Sequence, residues 1–337
     1  ALRNNLSTNF PRTRRSSRRS NSVGEAQVMR RPRGRRSSCD VKGWTCSRGN
    51  LNLPESREFF DIPTFLCPCG CEEQFQGDFD FSLSKVTVND QTLVGKPLDQ
   101  GSADLCVPYS YGKQMEITKR VKAVLLNRPV TDSVLMNPLH LNKSCKEILG
   151  AEPNVGPAAL IIMAHILKTK GICSKDEKTL YKASDVSTIH RRDTASIVRN
   201  LADGFPLNAG FFEGRRFHTA RYCRPYKPPS KEKMHAKLSV KRPFIPAHAV
   251  VLIGARRKRG KLDYYYMNSW KRFCVRRDNR GRWIRKLHGI GKIDANRLMR
   301  NVIRISRFKE KPTDRSFGIE QLPLDLEASR NFDLLLN

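Results

Sequence analysis

The 337-residue sequence contains no run of about 18 apolar residues, which argues against a membrane-spanning helix. No apolar h-region follows its basic start, so it reads as lacking a secretory signal peptide. The stretch from Arg12 to Arg19, rich in Arg and Ser and poor in acids, reads instead as an organellar transit segment or a nuclear address. The first residue is Ala rather than Met, which leaves room for sequence upstream. Acids are scarce, with 32 Asp and Glu against 63 Lys and Arg, for a net charge of +31. Residues 1–50 alone hold 13 basic side chains and only Glu25 and Asp40 to offset them. Such a surplus favours anionic partners, whether nucleic acid, acidic proteins or lipid surfaces, and is silent about fold. No histidine precedes His140, which weakens any zinc reading of Cys67, Cys69 and Cys71. Their spacing is tight enough for a metal or redox cluster, yet the usual two C-x2–4-C pairs are missing and the nearest companions are Cys39 and Cys46.

The chain changes texture along its length. Residues 1–75 read as a basic, Arg- and Ser-rich, largely disordered extension, with aromatics toward its end and just beyond (Phe59, Phe75, Phe79, Phe81) that can dock on a neighbour. Residues 76–308 read as globular. Pro157 opens a dense apolar stretch that predicts a buried helix with proline in its first turn. A second helix is expected near 192–203. Beyond 205 the pattern turns to short strands: Ala247–Gly254 as a buried strand, Asp263–Trp270 as its partner, and Arg256 to Lys261 as the loop between them. Asn301–Ser306 is expected as the final strand, and 309–337 as a charged tail. The expected class is therefore α+β, a helical lobe over about 95–204 followed by an antiparallel β lobe over about 205–308.

One set of residues has the makings of a thiol site. A thiol peptidase needs a thiolate, a base for its proton, an orienter for that base, and donors for an oxyanion. Gln100 places a side-chain amide six residues before Cys106. A helix is expected to start at Cys106, where the positive end of the helix dipole favours thiolate and where Pro108 in the first turn is harmless. His248 opens the buried strand, and Asn268 lies on its partner, followed by Trp270, whose indole is placed to shield a His–Asn hydrogen bond.

The order Q-G-S-x-x-x-C, H-A-V-V-x-x-G, N-S-W resembles the papain family of cysteine proteases over about residues 86–308. Asn154-Val-Gly156 resembles that family's glycine-bearing substrate strand, and Gly281-Arg-Trp-Ile-Arg its glycine-aromatic strand. The resemblance implies a two-lobed papain-like fold, with Cys106 as nucleophile, His248 as base and then acid, and Asn268 as orienter. It places Gln100 and the Cys106 N–H in an oxyanion hole, puts Asn154, Gly156 and Trp270 at the substrate, and requires no cofactor. The family's C-G-[SA]-C-[WY] appears as Ala103-Asp104-Leu105-Cys106-Val107, which sets an anion where a glycine is usual. The family's paired half-cystines fall here on Ala103 and Pro153, and no recognisable inhibitory prodomain precedes the domain. The lost bridge, with the missing signal peptide, suits an intracellular compartment better than a secreted one, while the missing prodomain speaks against the family's usual zymogen control.

Two functions fit these residues. One is a cysteine peptidase acting on peptide or protein substrates through an acyl-enzyme. The other is an inactive papain-like scaffold that binds nucleic acid or ribonucleoprotein through segments 1–50 and 215–261. Within the second segment, Arg215 to Arg242 interleaves basic residues with Phe217, Tyr222 and Tyr226, reading either as a binding face or as a solvated, proline-marked loop. The remaining histidines have no partner motif and read as structural or surface groups.

Overall fold

The computed structural model describes residues 44–45, 51–52, 78–88, 91–126, 128–129, 135–150, 157–214, 216–217, 225–230, 233, 247–270, 276–277, 283–284 and 289–313. In chain order these form β1 (Trp44–Thr45), β2 (Leu51–Asn52), β3 (Phe79–Ser82), β4 (Thr87–Val88), β5 (Gln91–Thr92), α1 (Cys106–Leu125), α2 (Pro138–Leu149) and α3 (Pro157–Thr169). Then follow β6 (Ile172–Cys173), β7 (Thr179–Ile189), α4 (Thr194–Ala202), β8 (Leu207–Phe212), β9 (Ala247–Lys258) and β10 (Lys261–Met267). β11 (Arg276–Arg277), β12 (Trp283–Ile284), β13 (Ile290–Asp294) and β14 (Val302–Pro312) complete the set. The architecture is mixed helix and antiparallel sheet. An eight-stranded sheet runs β13-β10-β9-β8-β14-β7-β6, with β3 pairing β9 off that path.

Strand β9 is the spine of the molecule, and its sequence explains why. Val250 and Leu252 face a cluster that includes Ile197 and Leu201 of α4. Ala249, Val251 and Ile253 face the side that holds α1. A strand buried on both faces needs an unbroken apolar run rather than alternation, and Ala249–Ile253 supplies one. One edge of β9 pairs β10. Its other edge is shared, by β8 from Ala247 to Leu252 and by β3 from Gly254 to Arg257. Gly254 marks the changeover: a Cβ there would stand 2.3 Å from the Phe81 carbonyl oxygen, so only glycine admits β3.

Helix α1 is the other organising element. It crosses β9 with both apolar and polar contacts buried. Gln114 Nε2 donates to the carbonyls of Pro206 and Ile303, each at 2.9 Å, and its Oε1 accepts from Asn208 Nδ2. The Tyr111 hydroxyl donates to the Leu160 carbonyl at 2.6 Å, locking α1 to α3. A buried Lys113–Glu116 pair at 2.8 Å is completed by Lys113 donating to the Lys96 carbonyl and Glu116 accepting from the Met136 N–H. Removing either partner would strand a buried charge, so this network also fixes the loop that leads to Gln100.

Several expectations need correction. The sheet is not confined to the second half of the chain: β6 and β7 lie within residues expected to be helical, and β7 pairs β14 along its whole length. The basic run Arg256–Lys261 is not a loop. β9 and β10 continue through Arg256–Lys258 and Lys261, leaving a two-residue turn at Arg259 and Gly260, both with positive φ. The last strand runs to Pro312, so the first residues of the expected tail are paired with β7. β1 and β2 form a short antiparallel pair inside the expected extension.

Candidate active site

Cys106 is the first residue of α1, as its position before a long helical stretch suggested. Leu105 at the N-cap offers no side-chain bond, so the first-turn N–H groups are not satisfied from within the helix. The thiol is 3% exposed and shares a cluster with Ala159, Leu160 and Ala249. Burial pushes it up to about 11; the Ala249 N–H pulls the other way, while Asp104 and Glu213 add repulsion. The expected lowering by the helix dipole is thus overturned. Burial and two carboxylates outweigh a half-charge at a helix end.

The Ala249 N–H that reaches Cys106 belongs to the residue after His248, so Cys106 lies against the start of β9. His248 Nε2 and Asn268 Oδ1 are 2.7 Å apart in a buried pair. An amide oxygen only accepts, so Nε2 must carry the hydrogen, and in the neutral ring Nδ1 becomes the basic nitrogen. Asn268 is placed by its position just past β10 and by its N–H, which donates to the Gly289 carbonyl at 2.7 Å. Its Nδ2, also buried, meets no acceptor among the described residues.

Three aromatic rings enclose the imidazole. Trp270 lies 4.8 Å from it between centroids, Phe217 at 5.1 Å and Phe211 at 5.9 Å. Trp270 also packs on Phe217 at 5.3 Å, so the expected shield exists as part of a larger cage. Phe211 is opposite His248 in the β8–β9 ladder, which fixes that wall through the sheet itself. Such rings exclude water from the His248–Asn268 bond and strengthen it.

Gln100 is held from both ends of its amide. Its backbone N–H donates to the Ser269 carbonyl at 3.0 Å, and its Oε1 accepts from the Ser269 hydroxyl. Its Nε2 donates to the Ala103 carbonyl at 2.6 Å, which leaves the second hydrogen of that nitrogen for another acceptor. Ser269 thus links Gln100 to Asn268, its neighbour in the chain. The sequence held that signal in Asn268-Ser-Trp270, but nothing in it paired the serine with Gln100.

Phe217 and Tyr226 correct a second expectation. Both lie in the stretch expected, with Tyr222, as a basic binding face or a solvated, proline-marked loop, yet Phe217 is fully buried and Tyr226 nearly so. They belong to the core around His248, and the Tyr226 hydroxyl accepts from the Gly214 N–H. Asn154 and Gly156, expected at the substrate, lie outside the described residues, as do Tyr222 and the metal candidates Cys67, Cys69 and Cys71. Among the described residues no three His, Cys, Asp or Glu are grouped to hold a metal ion, and no helix is long and apolar enough to cross a membrane.

No protein-family model matches the chain, and no curated protein matches it by sequence. Among solved structures it is similar to a digestive procathepsin L2 proteinase from Tenebrio molitor larval midgut, at 16% identity and a TM-score of 0.42, covering 73% of this chain and 71% of that one. It is also similar to xylellain, a cysteine protease from Xylella fastidiosa, at 14% identity and a TM-score of 0.44, covering 79% and 96%. A third is procathepsin B S9 from Trypanosoma congolense, at 13% identity and a TM-score of 0.40, covering 66% and 73%. Any role for Cys106 and His248 therefore rests on this chain's own geometry.

Proposed function

We propose that the chain is a papain-like cysteine peptidase. The observation that carries this reading is the buried His248–Asn268 pair on a strand whose next residue, Ala249, reaches with its N–H a thiol at the start of a helix. In the proposed reaction His248 Nδ1 takes the Cys106 proton and the thiolate attacks the peptide carbonyl carbon. The oxyanion that forms is met by the Cys106 N–H and the second Nε2 hydrogen of Gln100. The imidazolium, steadied by Asn268, then gives its proton to the departing amine, and an acyl-thioester remains on Cys106. Water, deprotonated by the same imidazole, releases the acid and restores the thiol. Trp270 keeps solvent from the His248–Asn268 bond, and Asn154 and Gly156 are assigned to substrate by position in the sequence.

A second reading is favoured by one observation. A thiol that is 3% exposed and pushed up to about 11 is poorly disposed to ionise on its own, as in an inactive scaffold of the same shape. Labelling separates the two. A thiol-directed epoxide should modify Cys106 in the folded protein, and Cys106→Ser should lose both the label and peptide hydrolysis. Folded protein that takes no label at Cys106 would leave only the scaffold.

A further inference from the structure

Strands β7 and β14 form a long antiparallel ladder whose two faces differ in charge. Tyr181 and Ala183 of β7 and Phe308 of β14 face the cluster covered by the helices. Side chains alternate along a strand, so Lys182, between the first two, faces the other way, as do Lys309 and Lys311. The one acid in this part of β14, Glu310, lies on the helix side, 3.8 Å from Lys119 of α1. On the outer face Asp185 stands three residues along β7 from Lys182, past the register shift, and accepts from the Ser306 hydroxyl.

The register sharpens the point. Lys309 is directly opposite Lys182, and Lys311 follows two residues along, opposite Leu180. Cross-strand neighbours stand about 5 Å apart at Cβ, and residues two apart on a strand about 6.7 Å. Three ammonium groups therefore share a small area, and none of them has an ion-pair partner among the described residues. Like charges opposite one another weaken a ladder. A face that was only solvated gains nothing from that arrangement.

We propose that this lysine face of β7 and β14 binds the phosphodiester backbone of nucleic acid without regard to base sequence. A row of point charges at strand spacing suits a row of phosphates, and neutralising phosphates releases counterions. An anionic membrane is the poorer fit. Surface binding to lipid gains from apolar side chains beside the charges. The large exposed hydrophobics among the described residues are Leu126, at the end of α1, and Leu139, at the start of α2, not on this face. The inference does not depend on the peptidase reading.

The test uses the full chain and a labelled thymidine oligonucleotide of about 16 nucleotides, followed by anisotropy over a salt series. The variant K182E/K309E/K311E is compared with K96E/K143E/K146E, which changes the net charge equally at exposed sites elsewhere. The first should weaken binding at least about tenfold near 0.1 M salt and lower the slope of log K against log salt by about 2, as loss of three single-strand phosphate contacts requires. The second should change affinity by less than about threefold. Equal losses in the two variants, or no loss in the first, would overturn the proposal. So would binding to phosphatidylserine vesicles without binding to the oligonucleotide. The single variant Lys309→Glu guards against misfolding. Because it relieves the apposition with Lys182, it should raise Tm while weakening binding; a lower Tm would mark Lys309 as structural and sink the idea.

Discussion

The two halves of the candidate site are built to different standards. On the imidazole side His248 is bonded to Asn268, walled by Phe211, Phe217 and Trp270, and carried by the strand that anchors the whole sheet. On the thiol side Cys106 starts a helix without a side-chain cap, sits among apolar residues, and has Asp104 and Glu213 for electrostatic company. Aromatic walls keep water from the His248–Asn268 bond and strengthen it. The same dryness around a thiol opposes ionisation. The proposed chemistry therefore depends on transfer to His248, since Cys106 gains little from its own surroundings.

Four experiments would break or sharpen that contrast. The largest effect should come from Phe217→Ala, which empties the ring shared by His248, Trp270, Phe211 and Tyr226. A loss of about 3–5 kcal/mol in denaturant unfolding is expected; a loss under about 1 kcal/mol would mean the cage is not the core of the imidazole half. Asn268→Ala should lower kcat/KM on a peptide substrate by about 10²-fold with the far-ultraviolet spectrum unchanged. Unchanged turnover would show that the His248 ring is oriented by its aromatic walls alone.

The pH dependence of stability is next. A thiol raised in the folded state stabilises fully below its ordinary value of 9.0, and that contribution is lost as pH climbs toward 11. Between pH 8 and 11 the native chain should lose about 2 kcal/mol more than Cys106→Ala does, measured by urea unfolding. Equal losses would place Cys106 in a wetter setting than its burial indicates. The smallest effect belongs to Asp104→Asn, an exposed charge screened by water and salt. It should speed iodoacetamide alkylation of Cys106 at neutral pH by roughly twofold. Slower alkylation would show that Asp104 acts on the thiol by something other than its charge.

How much of this was legible varies with the local physics. The starts of α1 at Cys106 and α3 at Pro157 could be read because a helix marks its first turn in sequence, and β9 because burial on both faces forces an unbroken apolar run. β7 could not. With Lys182, Ser184, Asp185 and Ser187 spread along it, only one face is apolar, and a register shift beside Asp185 blurs even that alternation. Phe217 was hidden for a different reason: its neighbours in sequence are basic, while its neighbours in space are rings from β8, β9 and the segment after β10. The meeting of His248 and Asn268 followed from the hairpin expected of their two strands. The hold of Ser269 on Gln100 did not, because a contact spanning 169 residues leaves no periodicity to find.

The shared edge of β9 also sets an order of assembly. β3 has no place to bind until β9 exists, and β9 begins about 165 residues after β3 ends. At ribosomal speeds of about 5–20 residues per second, Phe79–Ser82 must wait roughly 10–30 seconds for its partner strand. Gly254 keeps a berth open for a segment made long before it. Until that segment docks, Asp78 cannot accept from the Arg259 N–H at the β9–β10 turn.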